Sequence, residues 1–231
     1  MHVHNLLFLL GGGPTIFDTV AEEFVPSAGG PEATIALLLA GGQGWKEHVP
    51  QYIQPWIRRG VTRCYTIVPG ENGALDLDIA LARLRESTGI FIGGGDTPAY
   101  RRLYATDPIR SMIRQRYREG VHVAGLSAGA LIAPQVCAIP PEDTGDSRVR
   151  IAPGLGLVSG LIIGVHFSEW NALPHMVEAM VETRTSSGLG IDEAACAVFE
   201  NGELERVLGQ SAYKVELTDI EAKTYKVIRA A

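Results

Sequence analysis

Cysteine is scarce in this sequence, and long apolar runs, a basic excess and internal repeats are missing. The three cysteines, Cys64, Cys137 and Cys196, are odd in number and widely spaced, with no C-x-x-C pair. That pattern gives no sign of a disulfide framework or a zinc site, and it fits a reducing compartment. No stretch approaches the roughly 20 apolar residues needed to span a bilayer. Leu6–Leu10 is apolar, but it lacks a basic flank and runs into Gly11–Gly13, so it reads as a buried strand rather than a signal peptide. The expected location is cytoplasmic, with no membrane partner. Twenty Lys and Arg stand against 26 Asp and Glu, a formal charge of −6, which leaves no electrostatic footprint for nucleic acid. The basic residues that bunch in Arg101–Arg118 recur at roughly helical spacing among acids and read as a solvated face. With no linker, repeat or low-complexity tract, the 231 residues read as one domain, 1–231.

What is present is an alternation of apolar runs with helical patterns. Leu6–Leu10, Thr34–Ala40, Val61–Val68, Gly89–Ile92 and Val121–Ala124 read as strands. Trp45–Arg59, Leu75–Arg85, Ala99–Tyr104 and Pro108–Glu119 read as the helices between them. Such alternation implies βαβ units and a parallel sheet, whose ligand site lies at the carboxyl ends of the strands. The glycine-rich turns Gly11–Gly13, Gly41–Gly44, Gly93–Gly95 and Gly125–Gly129 would then share one edge. Beyond them lie a polar loop (Pro140–Arg150), one or two strands within Leu155–Val165, a helix at Asn171–Thr183 and a short strand at Gly188–Asp192. Ala195–Glu200, Leu204–Leu208 and Ala212–Leu217 read as short strands, the first two joined at Asn201-Gly202, a hairpin signal. The C-terminal quarter is thus expected to be antiparallel β appended to the sheet.

The strand ending at Ala124 runs into Gly125-Leu-Ser-Ala-Gly129, a G-x-S-x-G turn followed by a small apolar helical segment. That strand–turn–helix context would hold Ser127 in a strained conformation with its hydroxyl projecting, a nucleophile elbow. The next amide, Ala128 N–H, would open a helix and could face a developing oxyanion. A serine nucleophile needs a base. Of the six histidines, His2 and His4 lie at the terminus, His48 and His175 on helices, and His122 within the strand before the serine. His166 stands where an apolar strand ends on the expected active edge, which makes it the base. The acid that orients the imidazole could be Glu142, Asp143, Asp146, Glu169, Asp192 or Glu193, and composition leaves that choice open.

Four motifs in order then carry a resemblance: Phe91-Ile-Gly-Gly-Gly-Asp96, Gly125-Leu-Ser-Ala-Gly-Ala130, His166-Phe167 and Gly190-Ile-Asp-Glu193. From about Leu6 to Glu200 the chain resembles the serine peptidases of family S51, which include aspartyl dipeptidase and cyanophycinase. The resemblance implies a Rossmann-like α/β fold, akin to the class I glutamine amidotransferases. It implies a Ser-His-Glu catalytic triad of Ser127, His166 and Glu193, with the Gly95 and Ala128 amides as the oxyanion hole. Glu142 is the alternative acid, because an acidic residue at a similar distance after the serine is implicated in the family. The implied activity is hydrolysis of small peptides, dipeptide or isopeptide, with no cofactor or metal, and the family analogy allows a homodimer.

Two departures bear on substrate. Thr97 stands where cyanophycinase-like members carry Gln after Gly-Gly-Asp, and Ser168–His175 holds none of the arginines that follow His-Phe there. An acidic substrate group wants a guanidinium or ammonium partner, so these departures speak against cyanophycin. Asp96, Thr97, Trp170, Asn171 and His175 are the expected pocket residues. The competing readings are an α/β-hydrolase esterase, which uses the same turn, and a non-catalytic amidotransferase-like protein that binds a small molecule or partner.

Overall fold

The structure is a computed structural model that describes residues 4–230; His2 lies outside them. Its frame is a seven-stranded sheet in the order β11-β10-β1-β5-β4-β2-β3. Five strands run parallel: β1 (Leu6–Leu10), β2 (Thr34–Leu38), β3 (Arg63–Ile67), β4 (Gly89–Ile92) and β5 (His122–Leu126). The hairpin of β10 (Ala195–Glu200) and β11 (Glu203–Gly209) adds an antiparallel margin against β1.

Continuous apolar runs form the central strands because both faces of the sheet are covered. Along β1, Leu7 and Leu9 point into one core while Leu6, Phe8 and Leu10 point into the other. The second core is closed by α1 (Phe17–Ser27) and α2 (Trp45–Ile57), through Val20, Phe24, Tyr52 and Trp56. The first is closed by α3 (Leu77–Glu86), α4 (Thr97–Tyr104), α5 (Ile109–Arg118) and the short α6 (Ala128–Ile132), through Leu84, Tyr104, Ile113 and Leu131. Helix α3 starts where Asp76 caps it by accepting the Ile79 N–H at 3.1 Å.

The rest of the chain departs from the expected layout in three places. Helix α1 was not among the expected elements, although Phe17, Val20, Ala21, Phe24 and Val25 have helical spacing and are buried. The polar segment Pro140–Arg150 is not one loop. It carries α7 (Pro141–Thr144) between the paired strands β6 (Val136–Ile139) and β7 (Arg150–Pro153). The C-terminal quarter is not appended to one sheet. Only β10 and β11 join the main sheet; β12 (Ala212–Asp219) and β13 (Thr224–Arg229) join β8 (Ile162–Val165) and β9 (Ser187–Ile191) in a second sheet, ordered β13-β12-β9-β8. Helix α8 (Leu173–Thr183) packs on this sheet through Met176 and Met180.

Parallel pairing sends the carboxyl ends of β1, β2, β4 and β5 to one edge, with their glycine turns. The second sheet is stitched to that edge: the His166 N–H donates to Gly11 O (3.1 Å) and the Ala194 N–H to Gly12 O (2.9 Å). Residues far apart in sequence thereby meet over the end of β1.

Candidate active site

At the end of β5 the chain turns sharply, and Ser127 takes φ 49, ψ −108 immediately before α6. A non-glycine residue held there costs on the order of 1–3 kcal/mol, so the neighbours must enforce it. They do so by contact. A Cβ on Gly125 would lie 2.6 Å from the Gly129 backbone, and one on Gly129 would lie 2.4 Å from Ile92 O. Only glycine lets strand, turn and helix close this tightly. The Ser127 N–H donates to Leu10 O at 2.9 Å and the Gly129 N–H to Gly93 O at 3.1 Å, which locks the turn between β1 and β4.

Ser127 Oγ lies 3.0 Å from His166 Nε2, and His166 Nδ1 lies 2.7 Å from Glu193 Oε1. With the ring proton on Nδ1, that nitrogen donates to Glu193 and Nε2 accepts from the serine hydroxyl. His166 itself has φ 45, and Ala194, next to Glu193, has φ 55. The ring is sandwiched. Trp170 stacks on it with centroids 4.1 Å apart and planes at 22°, and Gly12 passes so close that a Cβ there would sit 2.2 Å from His166 Cε1.

The other carboxylates weighed as the acid are engaged elsewhere. Asp192 accepts the Ser168 N–H (3.0 Å), Glu169 accepts the Glu193 N–H (3.2 Å), and Asp146 pairs with Arg150 (2.7 Å). Glu142 stands exposed on α7. Its neighbour Asp143 accepts a 2.5 Å hydrogen bond from the Thr97 hydroxyl. Burial pushes the Asp143 carboxyl above its usual range, against the lowering effect of Thr97; Asp96 and Glu142 push the same way as burial, and the nearby His166 opposes them.

The five expected pocket residues do not form one wall. Thr97 is fully buried, its hydroxyl committed to Asp143, so it faces no cleft. Asn171 is an exposed turn residue with φ 49, its N–H donated to Ser168 O at 3.2 Å. His175, on α8, lines a small cavity with Leu131, Ala138 and Val149 rather than the space in front of Ser127. Trp170 supports the imidazole. Asp96 alone borders the main cleft, while capping α4 through the Ala99 N–H at 2.8 Å.

That cleft, about 490 Å³, lies between the Gly41–Gly44 turn and Gly94-Gly95 and is bordered by Trp45, His48, Gln51 and Tyr52 of α2. Gly94 joins it to the serine, since a Cβ there would lie 3.2 Å from Ser127 Cβ. Two tyrosines clamp Gly94: Tyr100 OH donates to its carbonyl at 3.0 Å, and Tyr52 OH accepts its N–H at 3.4 Å. Burial raises both phenols above their usual range, so they stay protonated. The α2 residues escaped sequence reasoning because they stand some 80 positions before the serine; the β4–β2 pairing brings them alongside it.

The thiols are poor nucleophiles. Burial pushes Cys64 and Cys137 up to about 12, and Cys196 higher. Among the described residues no group of three or more His, Cys, Asp or Glu is placed to hold a metal ion, and no helix is long and apolar enough to cross a membrane.

Comparison with known proteins identifies the family of the chain. The sequence profile of Peptidase family S51 matches residues 75–207, more than half of the chain. The chain is similar to the cyanophycinase of Synechococcus elongatus, at 29% identity over 201 residues, which cover 85% of this chain and 62% of that protein. It is also similar to the cyanophycinase of Trichormus variabilis, at 30% identity over 222 residues, 80% of this chain and 74% of the relative. The chain thus spans under two thirds of the Synechococcus protein's length. Among solved structures, a peptidase from an acI-B1 Actinobacterium superposes with a TM-score of 0.72 at 20% identity, over 92% of this chain and 91% of its own, a likeness of fold.

Proposed function

The chain belongs to peptidase family S51, and on that premise we propose that it is a serine peptidase acting on small peptides through an acyl-enzyme. The observation that carries the reading is the continuous contact from Ser127 Oγ through the His166 ring to Glu193, 3.0 and 2.7 Å long.

In this reading Ser127 Oγ attacks the substrate carbonyl as His166 Nε2 takes the hydroxyl proton. Glu193 keeps the other ring nitrogen protonated and stabilises the imidazolium. The carbonyl oxygen becomes an oxyanion held by the Gly95 and Ala128 N–H groups. Ala128 suits this role because the first residue of a helix has an amide with no intrahelical acceptor. Losing one such donor costs about 2.7–4 kcal/mol of barrier. Collapse of the tetrahedral species breaks the amide C–N bond, and His166 passes its proton to the leaving amine. Water, deprotonated by the same imidazole, then hydrolyses the ester and restores the serine.

Membership of this family removes the ground for an α/β-hydrolase esterase. The non-catalytic binding reading makes the opposite prediction in a direct test. A fluorophosphonate probe should leave a single adduct on Ser127, mapped by peptide mass spectrometry, and Ser127→Ala and His166→Ala should lose it. A folded protein that takes no adduct would overturn the peptidase reading in favour of the binding one.

A further inference from the structure

Resting on the peptidase reading, we propose that the cleft beside Gly94-Gly95 receives the side chain of the residue whose carbonyl is attacked, and that it selects large basic side chains and rejects acidic ones. Position is the first argument. The cleft begins at Gly94, in contact range of Ser127 Cβ, and its border continues through Gly95. A substrate carbonyl held against Gly95 and Ala128 would therefore direct its own side chain into this space.

Size and charge are the second. About 490 Å³ is roomy enough for an arginine or lysine side chain, which would bury its stem while its head stays solvated. Of the residues that border the cleft, Asp96 is the carboxylate, and neither Lys nor Arg is among them. The α4 cap uses Asp96 Oδ1, which leaves Oδ2 for a guanidinium or ammonium. Trp45 adds an aromatic face suited to a cation; Lys46 Nζ already sits 5.7 Å from that ring's centroid without bordering the cleft. Gln43 and Gln51 add uncharged polar groups, and His48 adds an imidazole. A carboxylate side chain would instead meet Asp96 with no counter-charge among the bordering residues.

The test is kcat/KM on the dipeptides Arg-Leu, Lys-Leu, Gln-Leu and Asp-Leu, with calorimetric binding of the same four to the Ser127→Ala protein. Arg-Leu and Lys-Leu should exceed Gln-Leu by at least about tenfold and Asp-Leu by about a hundredfold, as charge pairing against charge repulsion requires. Asp96→Asn, which keeps a good helix cap, should bring the Arg-to-Gln ratio close to one. Gln51→Arg, at an exposed position, should move the preference towards Asp-Leu. A wild-type preference for Asp-Leu, or an Arg-to-Gln ratio unmoved in Asp96→Asn, would overturn the proposal. The two readings fail separately: the fluorophosphonate adduct reports the nucleophile, and binding to Ser127→Ala reports the cleft without turnover.

Discussion

Two acidic segments approach His166, and they are built in opposite ways. The turn between β9 and β10 presents Glu193, whose side chain is 46% exposed and reaches Nδ1 at 2.7 Å. Backbone stitching holds that turn: Ala194 bonds Gly12, and Glu169 receives the Glu193 amide. Helix α7 presents Asp143, which is half-buried and already bonded to the buried Thr97. The contrast shows how a carboxylate becomes available for work. The backbone aims the exposed Glu193 at the ring, whereas burial raises Asp143 and its hydrogen bond goes to the scaffold.

If that difference decides the roles, Glu193→Gln is the most damaging change of the pair. Turning the triad acid into an amide can select the wrong imidazole tautomer, and in a well-studied protease it costs about 10⁴-fold in kcat. Because Glu193 is more exposed, a loss of about 10²–10⁴-fold is expected here, read as the rate of fluorophosphonate labelling. Glu142→Gln should leave that rate near the wild-type value. A larger loss in Glu142→Gln than in Glu193→Gln would reverse the assignment.

Gly12→Ala tests the stitching rather than the charge. The new methyl would lie 2.2 Å from His166 Cε1, so the ring must move. A displacement of about 1 Å in catalytic geometry can cost 10²-fold. Labelling should slow by about that factor, and the urea midpoint should fall as well, because Gly12 has φ 156, where a side chain strains the backbone even after the ring has moved. Normal labelling would mean that the imidazole has freedom the Trp170 stack is taken to deny it.

How far the sequence foretold this arrangement depends on distance along the chain. Ser127 and His166 were legible because each stands at a strand end on the expected active edge. Glu193 came only from the resemblance to family S51, since composition left the acid open among six carboxylates. The cleft was not legible. Trp45, Gln51 and Tyr52 belong to a helix with an ordinary amphipathic pattern, and only the strand order shows that α2 borders the serine loop. Thr97 was misread for a related reason: being next to Asp96 in sequence does not make it a neighbour in the cleft. As the first residue of α4, it points inward and is fully buried. The C-terminal strands were recognised individually, but period-2 patterning carries no information on which sheet a strand joins. β13 escaped altogether, since all six of its residues are exposed and no alternation marks a buried face.

Thr97→Val should show what the α7 contact is worth. It keeps the shape and removes the hydroxyl, leaving the half-buried Asp143 carboxylate without its donor. The expected cost is about 1–3 kcal/mol of stability, read as a lower melting temperature at pH 7. Thr97→Ser should restore most of it. The loss in labelling rate should stay well below that of Glu193→Gln, because the contact supports the Gly95 loop only through the start of α4.

The smallest effect is the most discriminating, because its sign depends on pH. The Asp143 carboxyl is raised above its ordinary value of 3.8, chiefly by burial. Between that value and its folded one, the unfolded chain has released a proton that the folded chain still holds. Stability from this group therefore falls as pH rises through the window, and the penalty is complete above the folded value. Asp143→Asn cannot ionise and keeps an oxygen for Thr97 to donate to. Relative to wild type it should be level near pH 3 and gain stability as pH climbs towards neutrality, seen in urea midpoints at several pH values. The opposite trend, with the variant losing ground as pH rises, would mean that the folded state stabilises Asp143 as an anion, with His166 as its counter-ion. Glu193 would then share the imidazole with a second carboxylate, and the contrast between the two segments would collapse.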